Sequence, residues 1–359
     1  MIRSPLSKSL LVMSTVAALA GFNHLAAADT PRPDRKVIAE SVDKLARLRP
    51  GPEEDRAIAD LVRNGVAAVE EISRQLATEP VDFGRVHRSV IVLKGVNSEK
   101  SRTLLRRIAL GEMTGGNPNL EAWAAQALIA CDGSEVWKLL ASSKPQVLTT
   151  ALNAVGEQPL NQERAGMLVD RMKHEDVLVS GLSAKVLAGA ATGRLSDEAA
   201  AGICRSLAAV STRPEAKVVQ PDNRKVGTAV TPADTYYGYY IPALVSLRVD
   251  NAALRELAKG LTGRAQDAVT VALAWRGDAT VRPDVLKIAL NMEAGMFRMW
   301  AVHGLRTVGT RDDLPLLRKL RESDPLAVEG GMQCLGPPGP RFVVRDAAKD
   351  AISAIENRK

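Results

Sequence analysis

Aromatic side chains are scarce. Phe, Trp and Tyr make up 3% of the 359 residues, against 46% apolar residues in all. A sheet sandwich favours aromatic and β-branched residues, so the composition argues against one. The core has to be built from Ala, Leu, Val and Ile, which suits closely packed helices. Cysteine is also rare. Cys131, Cys204 and Cys334 are odd in number, so at least one thiol stays free. Cys131 and Cys204 lie in Ala-rich stretches, where a thiol acts as a small apolar residue. The chain lacks Cys-x-x-Cys-His and Gly-x-Ser-x-Gly, which excludes c-type haem attachment and a nucleophile elbow. "GEMTGGNPN" at 111–119 lacks the Lys-Ser/Thr of a phosphate loop. No His/Cys/Asp cluster has metal-ligand spacing. A basic stripe is missing too. The net charge of +7 is spread over Arg and Lys interleaved with Asp and Glu, so no nucleic-acid partner is expected.

The N-terminus has the pattern of an export signal. Arg3 and Lys8 give a positive start, Leu10 to Phe22 a short apolar run, and Ala26-Ala27-Ala28 a small-residue cleavage site. Residues 1–28 are therefore expected to be removed, leaving a periplasmic or secreted chain beginning at Asp29. Loss of Arg3 and Lys8 lowers the net charge from +7 to +5. No later segment is long and apolar enough to cross a bilayer, so no integral membrane segment is expected after cleavage.

What the sequence does contain is repetition. The C-terminal stretch "VRDAAKDAI" reduces to V-R-x-x-A-x-x-A-I, and related copies end at residues 92, 127, 151, 186, 243, 272, 304 and 351. Small residues three apart put a narrow strip on one helix face, where a neighbouring helix can come close. Each copy is followed by a turn and a second apolar-periodic segment, as in Leu314, Leu317 and Leu320 after Thr310. The stretches "MFRMWAVHGLRTVGTRDDLPLLRKLRESDP" (296–325) and "FVVRDAAKDAISAIE" resemble HEAT repeats, particularly the short bacterial repeats related to those of phycobilisome lyases. The resemblance implies an all-α, right-handed α-solenoid of stacked helix–turn–helix units. Residues 29–80 are expected to form an N-terminal helical cap, and 81–359 the repeat array. Two wide steps in the motif spacing mark inter-repeat insertions at 211–235 and 324–340.

Members of the wider family include enzymes. Deoxyhypusine hydroxylases resemble this fold and bind iron through several His-Glu pairs, whereas this chain has one, His174-Glu175. Bilin lyases are cytosolic, and repeat-type DNA glycosylases use a basic cleft. The chain is therefore expected to be a non-catalytic protein-interaction scaffold without a cofactor. The paired carboxylates Asp312-Asp313 are explained by helix N-terminal charge complementation. The four tryptophans, Trp123, Trp137, Trp275 and Trp300, are expected to pack inside or between repeats.

All four tyrosines crowd into "TYYGYYIPAL" (235–244). Tyr237 and Tyr240 share a face with Leu244 and are expected in the core. Tyr240 replaces a small motif residue, so the neighbouring helix is expected to stand further off there. Tyr236 and Tyr239, with Arg224 and Lys225 of the preceding insertion, are the candidate partner-binding residues. A protein is the expected partner, and the alternatives are a carbohydrate bound through Tyr236–Tyr240 or a role as accessory subunit of an envelope enzyme. All three long connections, 111–119 included, fall between repeats and are expected to project from one edge.

Overall fold

The computed structural model describes residues 34–78, 82–156, 158–211, 232–329 and 340–358. The signal segment 1–28, Arg224, Lys225 and Cys334 lie outside the described residues. Among the described residues eighteen α-helices follow one another: α1 Arg35–Leu45, α2 Pro52–Arg63, α3 Val66–Thr78, α4 Phe83–Val96, α5 Glu99–Ala109, α6 Pro118–Cys131, α7 Glu135–Leu139, α8 Pro145–Val155, α9 Gln162–Arg171, α10 Val177–Ala190, α11 Arg194–Ser211, α12 Pro232–Ser246, α13 Asn251–Ala258, α14 Gly263–Trp275, α15 Arg282–Leu290, α16 Met296–Val308, α17 Leu314–Ser323 and α18 Val343–Glu356.

The helices form two layers. α4, α6, α8, α10, α12, α14, α16 and α18 each pack on the next in the series. The intervening odd-numbered helices cover one side of that row, with α3 on α5, α9 on α11, and α11 on α13. The result is an all-α solenoid of stacked helix pairs. Every motif copy read from the sequence falls on an even-numbered helix. The small-residue strip is buried there: Ser89, Ala124, Ala151, Ser183, Ala272, Ala301 and Ala348 are all at 0% exposure. At Gly304 an added Cβ would come to 3.0 Å from the Ala274 Cβ, so the strip marks close approach between α14 and α16.

Turns within a pair are short because the residues at them both stop and start helices. Asn97 ends α4 in the left-handed conformation (φ 46°), and Ser98 at once caps α5, accepting from the Ser101 amide at 3.1 Å. Asp250 caps α13 through the Ala253 amide at 2.6 Å. Carbonyls at helix C-termini are met by arginines from other elements. Arg276 donates to the carbonyls of Leu244 (3.2 Å) and Leu247 (2.7 Å) at the end of α12. Arg358 does the same for Arg306 and Gly309 at the end of α16.

Charged pairs tie successive outer helices together. Arg106 of α5 reaches Glu135 of α7 at 2.7 Å, Arg255 of α13 reaches Asp278 ahead of α15 at 2.5 Å, and Arg282 of α15 reaches Asp313 ahead of α17 at 2.6 Å. In each pair the carboxylate is almost fully buried and close to a helix N-terminus, where the helix dipole favours it. Between α7 and α9 the link is Arg164 lying over the Trp137 ring at 4.7 Å. Between α9 and α11 it is Gln162 donating to Glu198 at 2.6 Å.

The insertion expected at 324–340 is not all loop. Val328–Glu329 pairs antiparallel with Pro340–Arg341, which joins the two ends of the insertion. Asp324 anchors its start. The Asp324 carboxylate takes both terminal guanidinium nitrogens of Arg298, and both side chains are buried. Arg345 adds a bond to the Asp324 carbonyl at 2.7 Å.

Candidate partner-binding surface

The tyrosine stretch is mostly interior. Tyr236, Tyr237 and Tyr240 are each at 0% exposure. The Tyr236 hydroxyl donates to the Glu175 carbonyl at 3.1 Å, across the α10–α12 junction. Tyr240 and Ser180 share a hydrogen bond at 3.0 Å, and Ser180 donates onward to the Met172 carbonyl at 2.7 Å. Tyr237 packs edge-on against Phe297 at 4.6 Å, and Phe297 in turn against Trp300 at 5.1 Å. The chain of rings thus runs from α12 to α16, passing the small residues of α14. Tyr236 therefore offers no surface to a partner, which corrects its assignment as a binding residue. Tyr239 is half-buried, its ring lying on Gly181 of α10. An added Cβ at Gly181 would sit 2.6 Å from the Tyr239 Cβ.

That contact also corrects the expectation that α10 stands off from α12. The bulky residue is on one helix and the small ones are on the other. Gly181, Ser180 and Ser183, all buried on α10, make room for the rings. A register argument confined to one helix cannot see this compensation.

A different aromatic group reaches the surface. α4 buries Val86, Val90 and Leu93 and carries Phe83, His87 and Ile91, four residues apart, along another face. Phe83 is 46% exposed and Ile91 39%. Across the layer, Trp123 of α6 comes to 4.3 Å from the His87 ring and 5.5 Å from Phe83. Burial lowers the His87 pKa below its ordinary value of 6.5, and neighbouring Arg88 adds to the shift while Glu54 opposes it. The ridge is thus aromatic and mainly neutral near neutral pH. Trp123 and Trp300 occupy the same motif position, yet Trp300 is buried and Trp123 half-buried. Trp137 is buried like Trp300, and Trp275 is half-buried, donating to the Trp300 carbonyl at 2.9 Å. The tryptophans thus pack inside or between repeats as expected: Trp137 and Trp300 are buried, and Trp123 and Trp275 pack partly buried against the core. The sequence signal for the ridge was the second apolar stripe on α4, which the single core stripe of a surface helix does not need.

The connection at 111–117 is pinned down beside this surface. Buried Glu121 of α6 accepts from Thr114 at 3.1 Å and Lys144 at 3.3 Å. Gly111 has φ 86°, and a Cβ there would meet the Glu121 carboxylate at 2.7 Å.

The polar residues considered for catalysis have structural partners. Asp313 accepts from the Thr310 amide at 2.8 Å and binds Arg282 through both oxygens. His174 accepts through Nδ1 from the Asp176 amide at 3.0 Å. Among the described residues no three His, Cys, Asp or Glu side chains gather as a metal site.

The stacking of helix pairs is HEAT-like. No family model matches the chain, and no curated protein does. Among solved structures it is similar to human deoxyhypusine hydroxylase in complex with glycerol, at 15% identity over 90% of this chain and 98% of that one, with a TM-score of 0.26. The expectation that the chain is not an enzyme is corrected by this finding, because the similar structure is that of an enzyme. At such a low score the likeness carries nothing about a reaction, metal or substrate here. No described helix is long and apolar enough to cross a membrane.

Proposed function

We propose that the protein is exported to the periplasm or beyond and serves there as a helical-repeat scaffold, holding its partner on the α4–α6 ridge. The observation that supports this is the exposed apolar and aromatic group Phe83, His87, Ile91 and Trp123. A folded chain with so few aromatic residues leaves two large apolar side chains and an indole at one surface. Exposed clusters of this kind mark interaction sites, and aromatic residues lead among those that carry binding energy. The inter-repeat insertions, with Arg224, Lys225 and half-buried Tyr239, are a secondary contact region in this reading. Export rests on Arg3, Lys8, the apolar run and Ala26–Ala28.

Two measurements test the reading. Mass spectrometry of the native protein is expected to find a chain beginning at or near Asp29, and a full-length cytosolic chain overturns the export step. Crosslinking in the envelope fraction is expected to capture a partner with the unmodified chain and to lose it with Phe83→Ser combined with Ile91→Ser. Both positions are exposed, so helical circular dichroism should persist. Equal capture by the variant overturns the ridge as the binding surface.

A further inference from the structure

A groove of about 370 Å³ that shares Trp123 with the ridge runs between α6 and α8. Its walls carry Trp123, Gln126 and Ile129 from α6 and Thr150 and Asn153 from α8, and no ionisable side chain lines it. Neither the Gln126 nor the Asn153 carboxamide has a hydrogen-bond partner among the described residues. Thr150 donates its proton to the Gln146 carbonyl at 2.8 Å, so its oxygen faces the groove as an acceptor. The His87 ring lies 4.3 Å from the indole, tilted 53° to it.

We infer that this groove is a subsite for a neutral sugar ring of a glycan. The inference rests on the ridge reading above and names the chemistry that surface takes. Phosphate, carboxylate and ammonium ligands would shed water there without a counter-charge, which is costly. A wholly apolar ligand would cover two carboxamides and leave them unpaired. A pyranose avoids both costs. Its C–H face suits the flat indole, while its rim of hydroxyls both donates and accepts, as carboxamides do. The groove is open, so each ring binds weakly, and a repeating glycan gains strength by engaging neighbouring sites together. The carbohydrate reading thus leaves Tyr236, which is buried, for Trp123, Gln126 and Asn153.

The test uses the full chain on an array of neutral and acidic glycans, followed by calorimetry with cellotetraose and tetra-N-acetylchitotetraose. Saturable binding to neutral glycans is expected. Asn153→Ala, at an exposed position, should weaken it by about tenfold, equivalent to one lost hydrogen bond with good geometry. Trp123→Ala should abolish it, and Trp123→Phe should restore part. Binding to no neutral glycan, binding to acidic glycans alone, or an unchanged affinity in Asn153→Ala overturns the sugar subsite. If the envelope partner is captured equally well after deglycosylation, while Phe83→Ser with Ile91→Ser still loses it, the ridge stands and the sugar subsite falls. If the ridge variant captures normally, the ridge reading itself falls.

Discussion

The α10–α12–α16 region and the α4–α6–α8 region both concentrate aromatic residues on the inner row of helices, and they use them in opposite ways. At α12 the rings go inward, because α10 supplies Gly181, Ser180 and Ser183 as their bed, and the tyrosine hydroxyls find Glu175 and Ser180. At α4–α6 the neighbour of Trp123 is another ring, His87, so neither helix yields space and the group remains at the surface. Ring content alone does not separate a core from a binding surface. What decides is the size of the residues on the facing helix.

Substitutions can break this contrast, beginning with the largest effect. Tyr237→Ala removes a fully buried ring that holds Phe297 and should cost about 3–5 kcal/mol, read as a fall in the denaturation midpoint. Gly181→Ala should cost about 1–3 kcal/mol, because the new methyl collides with the near end of the Tyr239 side chain, where a rotamer change gives no relief. An unchanged midpoint would mean that α10 and α12 are not in tight contact. Tyr240→Phe keeps the ring and removes the hydroxyl that meets Ser180, for a loss of about 1 kcal/mol. Phe83→Ala on the ridge should cost no more than about 1 kcal/mol, because nearly half of the side chain is already exposed. A large loss there would make the ridge a core and end the comparison.

The smallest effect is a pH dependence. Burial keeps His87 and His303 below their ordinary pKa of 6.5. The unfolded chain therefore takes up protons first as the medium is acidified. Stability is full above about pH 6.5 and declines as pH falls from there toward the folded-state values. His87→Gln should flatten part of that decline in thermal melts between pH 7 and 5. A melt series that is equally steep in the variant would show that His87 is not the group responsible.

Much of the architecture was legible because the repeat constrains backbone spacing directly. The small-residue strip and the Thr310 to Asp313 turn are local signals, and each appears where the motif put it. The core positions of Tyr237 and Tyr240 were legible from the helix face they share with Leu244, but the surface the ring group packs on was not. It depends on Gly181, more than fifty residues earlier, and on Phe297, two repeats later. The ridge was hidden for a similar reason. Phe83, His87 and Ile91 are visible as a second stripe on α4, but Trp123 meets them only once the 111–117 connection folds α6 alongside. The small ladder at Val328 and Arg341 escaped notice because a two-residue strand has no periodicity to detect.

The charged links between outer helices have a mechanical consequence. A stack of helix pairs is a spring, and each link sets the stiffness of one coil. Buried Arg–carboxylate pairs brace α5 to α7, α13 to α15, and α15 to α17. Between α9 and α11 the Gln162 carboxamide meets Glu198 beside an open groove of about 440 Å³ lined by Leu187 and Ala199. Springs in series extend most at their softest coil. A load carried along this array is therefore expected to leave the α5–α7, α13–α15 and α15–α17 steps closed while it opens the steps between them.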